Sequence, residues 1–162
     1  FLVSSSDDDS YLRALKQRAG RDPRIRFRDP VPPAALPETL NSYDVGVFWM
    51  PPIHTNARLT LPNKLFDFVQ ARLAVAIGPT VEMEAVVREH GLGVIAASFS
   101  AADCASSIST LTADQVTGFK AASHRAARSL SFEQDAAQIR TILTGILGSA
   151  RGDDQTRTGS SA

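Results

Sequence analysis

At 162 residues the chain fits a single domain, large enough to bury most of its apolar surface. With 43% apolar and 21% charged residues, its composition is that of an ordinary folded protein and excludes wholesale disorder. The 17 basic residues balance 17 acidic ones, which argues against general nucleic-acid binding because a phosphate backbone requires a basic surface.

The use of cysteine and the distribution of apolar residues point to a compartment. Cys104 is the single cysteine, which fits a reducing environment, and its small neighbours predict a core position. No apolar run approaches the roughly 20 residues that span a bilayer, and no signal peptide opens the chain. We therefore expect a cytoplasmic protein with no evident membrane contact, leaving open a peripheral place at the inner membrane face. Because the chain starts inside an apolar run without a methionine, we expect it to be a fragment.

Short apolar runs alternate with amphipathic stretches along the chain up to Ala97. Strands are predicted at 1–3, 24–27, 44–49, 73–77 and 92–96. Strands that alternate with helices form βα units. We therefore expect an α/β domain, namely a doubly wound, Rossmann-like parallel sheet of about five strands with a helical C-terminal end.

The stretches between the strands have the period of amphipathic helices. Helices are predicted at 7–19, 36–40, 62–72 and 81–90. We expect Pro62 at the first position of the third helix, and Thr80 and Gly91 as the two caps of the fourth. The stretch 51–61 has no period and predicts a surface loop.

After Ala97 the pattern is wholly helical. Three capping-box starts divide this part, and they lie at Ser100, Thr112 and Ser131. The last helix has an apolar face made of Phe132, Ala136, Ile139, Leu143 and Ile146. This helix is expected to stop near Gly148, so the sequence predicts one domain over 1–148 and a disordered tail over 149–162.

Ligands of parallel sheets bind beyond the carboxyl ends of the strands, where loops lead into helices. In this chain the rule points to 4–9, 50–64 and 78–84. The helix that opens near Pro62 offers free amides and a partial positive charge, which suit an anion. Lys64 lies in its first turn, where the helix dipole disfavours a cation unless a phosphate is its partner; otherwise it is a solvated surface lysine. Asp67 lies on the same face and could accept hydrogen bonds from a ribose diol or pair with Lys64.

The stretch 61–77, LPNKLFDFVQARLAVAI, carries a resemblance to a known family. It resembles the retaining GT-B glycosyltransferases of the group-1 (GT4-like) type, whose C-terminal domain reads P-x-K-x-x-E-x-x-A-x-G-x-P-V. The matching positions are Pro62, Lys64, Asp67, Ala71 and Val75, with aspartate in place of glutamate at 67. The run 84–94 is similar to the family's next helix and strand, and 24–27, 36–40 and 43–47 follow its upstream succession. The resemblance covers about residues 1–147.

The resemblance implies one half of a GT-B fold that binds a UDP- or GDP-linked sugar without a metal or other cofactor. The acceptor would be held by an N-terminal GT-B domain that is absent from this chain. Lys64 and Arg58 would stabilise the departing diphosphate, an effect of the oxyanion type. The other implied donor contacts are Asn63, Asp67 on the ribose, Gly78, Pro79, Thr80 and Glu84 on the nucleoside, and His54 and Asn56 near the sugar. Taken alone, His54 is a surface histidine, and Glu84 is a favourable first-turn acid.

The sequence also departs from the family, and alternatives follow. The first glutamate of the family's E-x7-E motif falls on Leu59, and the usual glycine and proline fall on Arg72 and Ala74. A degenerate GT-B-like domain with a binding or assembly role is therefore the second hypothesis. Asp7 and Asp9 spell the D-x-D metal motif of GT-A enzymes, although acids before a helix also act as caps. A response-regulator receiver is excluded because 47–49 lacks a phosphoacceptor aspartate.

Overall fold

The computed structural model describes residues 10–20 and 22–157, and for 148–157 it describes the course of the backbone alone. The chain divides into two compact units, Phe1–Leu36 and Pro37–Ala162. The first unit contains helix α1 (Ser10–Ala19) and a 3₁₀ turn (Pro33–Ala35). The predicted strand at 1–3, the acids of the D-x-D motif and residues 158–162 of the predicted tail lie outside the described residues.

The segment 24–27 of the first unit is not a strand, so that prediction is wrong. The Asp22 carboxylate accepts hydrogen bonds from the backbone N–H of Arg24 at 2.9 Å and from its guanidinium at 2.7 Å. The backbone N–H of Ile25 donates to the Asp22 carbonyl at 3.1 Å. Ile25 and Phe27 are exposed. The alternating pattern was misleading because a local aspartate turn takes the N–H groups of Arg24 and Ile25, which a strand would offer to a neighbouring strand.

Among the described residues, the second unit is built on a parallel sheet of three strands, not the five or so that the sequence predicted. The strands are β1 (Val45–Phe48), β2 (Ala74–Ile77) and β3 (Gly93–Ile95), in the order β1-β2-β3. The predictions at 44–49, 73–77 and 92–96 are therefore confirmed to within one residue at each end. The helices ahead of and between the strands are α2 (Leu36–Leu40), α3 (Thr55–Leu59), α4 (Asn63–Gln70) and α5 (Val81–His90).

The central strand β2 forms the middle of the core. Its four residues are each at most 1% exposed, although successive side chains point to opposite faces. Both faces of β2 are therefore covered, as is typical of a parallel sheet packed between helices. Helices α4, α5 and α7 (Ala113–Ala126) all pack against this strand. The α/β class with a parallel sheet is confirmed.

Two glycines allow close packing around the sheet. A Cβ at Gly46 in β1 would lie 2.3 Å from the ring of Phe68 in α4. A Cβ at Gly93 in β3 would lie 1.8 Å from the carbonyl oxygen of Val75, its partner in β2. A helix ring thus lies directly on β1, and β3 lies closer to β2 than a larger residue would permit.

Helices α4 and α5 end in the same hydrogen-bonded motif. After α4, the N–H of Arg72 donates to Val69 and that of Leu73 to Phe68. After α5, the N–H of Gly91 donates to Arg88 and that of Leu92 to Val87. Both are Schellman motifs, in which one residue adopts a left-handed conformation. That residue is Gly91 (φ 63°) after α5, as predicted, but Arg72 (φ 61°) after α4.

Arg72 is held in its unfavourable conformation by its own side chain. One guanidinium nitrogen donates to the carbonyls of Val69 and Gln70 at 3.1 and 2.8 Å. Another donates to Nδ1 of His124 at 3.2 Å. A left-handed arginine costs about 1 kcal/mol or more relative to glycine, and these bonds offset that cost.

The C-terminal part consists of α6 (Ala101–Ser109), α7 and α8 (Phe132–Arg157), which begin where the capping pattern predicts. Thr112 and Gln115 form a complete capping box, and Ser100 accepts from the N–H of Asp103. Cys104 is buried, as expected. The predicted helix end near Gly148 is wrong because the backbone of α8 continues to Arg157, with no proline or described left-handed residue to stop it.

The apolar face predicted for α8 does not pack against the described part of the chain. Phe132 is 82% exposed, and Ile139, Leu143 and Ile146 are each more than half exposed. None of the helices that the structure describes is both long and apolar enough to cross a membrane.

Candidate functional site

The carboxyl ends of the three strands lie at one edge of the sheet because the strands are parallel. The ladder reaches this edge, since the N–H of Gly78 donates to Phe48 at 3.1 Å and that of Ala96 to Ile77 at 2.9 Å. We call the loops 49–62, 78–80 and 97–100, with the helix starts that follow them, the carboxyl edge. The predicted donor-binding residues belong to it, except Asp67, which lies one turn further into α4.

Helix α4 opens at the carboxyl edge without a capping side chain. Pro62 occupies the N-cap position, one residue earlier than predicted, and makes no side-chain bond to the first turn. No acidic residue lies in that turn. Asn63 and Lys64, its first two residues, are exposed. No side chain of the described residues accepts from the first amides of α4, although the amide of Leu65 donates to the Pro62 carbonyl at 3.0 Å. No acid in the first turn neutralises the partial positive charge of the helix.

Asp67 lies on α4 one turn beyond Lys64 and is partly buried. No ion pair joins the two side chains, because the ion pairs of the described residues are those of Asp22, Glu84 and Asp44 with other partners. Burial raises the pKa of the Asp67 carboxyl, and the charge of Lys64 opposes that rise. The pairing alternative for Asp67 thus reduces to a weak through-space attraction.

Replacing Asp67 by asparagine is expected to raise the free energy of unfolding at neutral pH. Because the native pKa is raised, the native state binds more protons than the unfolded chain above about pH 3.9, and stability falls as pH rises through the native pKa. The uncharged amide escapes this loss. Urea unfolding on both sides of the window should show a gain for Asp67→Asn at neutral pH that vanishes below about pH 3.9. A variant less stable than the parent at neutral pH would contradict the burial argument.

Helix α3 lies where the sequence predicted only a loop. His54 is its N-cap, and Nδ1 of the imidazole accepts a hydrogen bond from the N–H of Ala57 at 3.1 Å. His54 therefore has a structural task, which sequence reasoning missed because histidine is not a usual N-cap residue. Asn56 and Arg58 are exposed on α3, and this helix packs against α5.

The Gly78–Thr80 turn carries the chain from β2 into α5. The ring of Phe99, from the third loop, lies on Gly78, where a Cβ would come within 2.0 Å of a ring carbon. Thr80 is the N-cap residue of α5, as predicted, and its N–H donates to the Gly78 carbonyl at 3.0 Å. Its hydroxyl does not accept the hydrogen bond from a first-turn N–H that a capping threonine usually accepts. The turn is thus held by backbone bonds and by an aromatic ring, and the threonine hydroxyl takes no part.

The first turn of α5 contains acidic residues, whereas that of α4 contains none. Glu82 and Glu84 lie in the first turn of α5 and are partly buried. The carboxylate of Glu84 accepts from Arg88 at 2.8 Å, one turn further along the helix.

A concavity beside the second half of α5 follows the outer edge of β3, and it is lined by Val87, Arg88, Gly91, Gly93, Val94 and Ile95. That concavity lies away from the predicted residues and contains no cluster of acids or bases.

The opposite, amino edge of the sheet is closed by satisfied polar groups. The buried hydroxyl of Ser123 donates to the carbonyl of Leu73 at 2.6 Å. The Asn41 amide donates to the carbonyl of Ala71 at 2.8 Å. Lys120 donates to the carboxylate of Asp44 at 3.0 Å. These bonds fasten α7 and the end of α2 to the amino ends of the strands.

The carboxyl edge differs in this respect. The buried side-chain polar atoms that lack a hydrogen-bond partner in the described residues are Nε1 of Trp49 and Oγ1 of Thr80. Both belong to loops of the carboxyl edge. Sequence reasoning treated Trp49 as the end of a strand; the signal that could have found it is an aromatic with a polar handle at the carboxyl end of a buried strand.

No group of three or more metal-binding side chains occurs among the described residues. A search of protein-family models, of curated proteins and of solved structures found no match to this chain.

Proposed function

We propose that the chain is the nucleotide-sugar-binding half of a GT-B glycosyltransferase, with a doubly wound fold completed outside the described sheet. The observation that carries the proposal is the uncapped, acid-free start of α4 beside Lys64 at the carboxyl edge. Free amides at a helix start, the helix dipole and a lysine together favour a diphosphate.

Roles for the other residues are those that the family resemblance implies. Arg58 on α3 is the second cation and assists the departing diphosphate. Asp67 accepts hydrogen bonds from the ribose, for which its partly buried carboxylate is suited. The Gly78–Thr80 turn and Glu84 lie toward the nucleoside, and His54 and Asn56 toward the sugar. The donor is UDP- or GDP-linked, and transfer needs no metal.

A separate N-terminal domain would hold the acceptor in this proposal. Bringing donor and acceptor together accounts for a large part of the rate in such a reaction, so the chain alone would bind a donor without transferring its sugar. The reaction would take place in the cytoplasm, with a place at the inner membrane face if the acceptor is a lipid.

The second candidate is a GT-B-like domain that binds or assembles without transfer. Leu59 supports it, because this position carries the first glutamate of the family's E-x7-E motif and an exposed leucine cannot replace that carboxylate. The two candidates differ in nucleotide binding, since an assembly domain has no need of a nucleoside diphosphate.

Lys64→Ala is expected to weaken the binding of UDP or GDP by about 1.5–3 kcal/mol, the range for a hydrogen bond to a charged group. This corresponds to a loss of about 10- to 150-fold in affinity. Isothermal titration calorimetry of the 162-residue chain with UDP, GDP and ADP measures it.

Lys120→Ala is the matched control, because it removes a lysine from the amino edge and should leave the affinity unchanged. Equal losses in the two variants would remove Lys64 from the site. A parent chain that binds none of the three nucleotides would favour the assembly role.

A further inference from the structure

The two buried polar atoms that lack a hydrogen-bond partner in the described residues belong to residues that follow neighbouring strands. Trp49 follows β1, and Thr80 lies in the turn that follows β2. Trp49 directly follows Phe48, the last residue of β1, whose carbonyl accepts from Gly78 at 3.1 Å. The carbonyl of Gly78 in turn accepts from the N–H of Thr80 at 3.0 Å. Two consecutive backbone hydrogen bonds therefore link Thr80, through Gly78, to Phe48, the residue directly before Trp49.

Neither atom has a structural role that accounts for its burial. Thr80 is 4% exposed, and its hydroxyl does not bond to the amides of the helix that it caps. A buried polar group without a partner is costly, and natural proteins keep few of them. The other buried hydroxyl among the described residues, that of Ser123, is bonded to Leu73 at 2.6 Å. The exception at the carboxyl edge thus calls for a partner beyond the described residues.

The chemistry of the two groups limits that partner. An indole N–H only donates, so its partner must offer an oxygen or nitrogen acceptor, whereas a hydroxyl either donates or accepts. Charge then separates the two helix starts. The first turn of α5 contains Glu82 and Glu84, whereas that of α4 contains no acid and has Lys64. Glu84 is paired with Arg88. Glu82 is therefore the acid of the first turn of α5 whose charge opposes a phosphate beside Thr80, and an uncharged partner suits the indole and the hydroxyl better.

We propose that Trp49 and Thr80 form a neutral subsite that hydrogen-bonds an uncharged oxygen of the ligand whose phosphates lie at the start of α4. This rests on the proposed function. The oxygen is a carbonyl or hydroxyl, supplied either by the nucleoside or by the transferred sugar. Both protein atoms are shielded from solvent, so the ligand reaches them when the loops of the carboxyl edge open.

The emission of Trp49 reports on this subsite directly, because Trp49 is the single tryptophan of the chain. The chain is titrated with UDP, GDP and ADP, with the corresponding nucleosides, with glucose and with inorganic pyrophosphate. We expect a nucleotide, and one of the two uncharged probes, the nucleoside or the sugar, to shift the Trp49 emission. Pyrophosphate should leave the emission unchanged. A response to nucleosides identifies the base or ribose as the source, and a response to glucose identifies the sugar.

Thr80→Val removes the hydroxyl at nearly constant shape and is expected to weaken nucleotide binding about tenfold in calorimetry. Thr80→Ser keeps the hydroxyl and should retain the nucleotide affinity of the parent. The midpoint of thermal unfolding should rise in Thr80→Val, because the substitution removes an unsatisfied hydroxyl from the interior. The same unfolding transition verifies that the variant is folded. Lys64→Ala should weaken pyrophosphate binding, and Thr80→Val should not.

Two results separate failure of the subsite from failure of the donor site. Nucleotide binding that depends on Lys64 but is equal in Thr80→Val and the parent, with the Trp49 emission unchanged, would overturn the subsite alone. Absence of binding by every nucleotide, nucleoside and sugar probe, and by pyrophosphate, would overturn both.

Discussion

Replacing Leu65 by alanine is expected to lower the free energy of unfolding by about 2–5 kcal/mol. Leu65 is 1% exposed and lies on the buried face of α4 together with Phe68 and Val69. Removing three buried carbons loses their transfer free energy and leaves a cavity, because strands β1 and β2, against which α4 packs, cannot collapse onto the gap. Urea unfolding followed by circular dichroism measures the loss.

Leu147→Ala in α8 is the matched control for Leu65→Ala, since it makes the same change in a helix at a side chain that is 64% exposed. Its effect should stay within about 0.5 kcal/mol. A loss in the control as large as that in Leu65→Ala would mean that α8 is packed in solution.

Gly93→Ala is expected to cost about 3 kcal/mol or more, the upper end for overpacking. The added carbon would come 1.8 Å from the Val75 carbonyl, which is backbone and cannot rotate away. Relief requires β3 to move off β2, which disrupts their ladder from Val75 to Ile77. Thermal and denaturant unfolding of the variant measure the change.

The matched control is Gly118→Ala in α7, where an added Cβ meets nothing within 4 Å. Alanine favours a helix interior, so this variant should gain about 0.5–1 kcal/mol. The same chemical change is thus expected to have opposite signs at the two positions. Equal effects at Gly93 and Gly118 would contradict the close approach of β2 and β3.

The parts of the fold that were predictable have strong local signals. Strand β2 is a continuous apolar run, and its boundaries follow from that run and from the glycine and proline behind it. The capping box of Thr112 and Gln115 and the left-handed Gly91 are also local, and they fixed one end each of α7 and α5. Each of these signals is complete within a few residues, so tertiary context did not change the outcome.

The parts that were not predictable depend on competition with neighbours. The stretch 24–27 alternates like a strand, but a strand also needs a neighbouring strand to bond to. Here the N–H groups of Arg24 and Ile25 donate to Asp22 instead. Helix α3 has no hydrophobic period and begins at a histidine cap, which few sequences use. The hydroxyl of Thr80 follows the usual preference for a cap position, but only the structure reveals that it makes no cap bond.

The position of most candidate residues at the carboxyl edge was predictable, whereas the contacts around them were not. The rule for parallel sheets placed them at the carboxyl edge, and Lys64 and Asp67 were found from the helix start and the family resemblance. The contribution of Trp49 depends on the burial of a single nitrogen atom, which no sequence pattern reports. The roles of these residues in donor binding remain predictions that the titrations described above decide.

The complete burial of β2 has a consequence for amide hydrogen exchange. The N–H of Val75 donates to Leu92 at 3.0 Å between two flanking strands and under two covered faces. Its proton can exchange with solvent deuterium only when the whole second unit unfolds, so its exchange rate in native buffer reads out the global stability. The amides of the exposed residues Ile53 and His54 exchange through local opening instead. A ligand that closes the carboxyl edge would slow the exchange of the loop amides directly, because it prevents their local opening. It would slow the exchange of the Val75 amide only by stabilising the second unit against global unfolding.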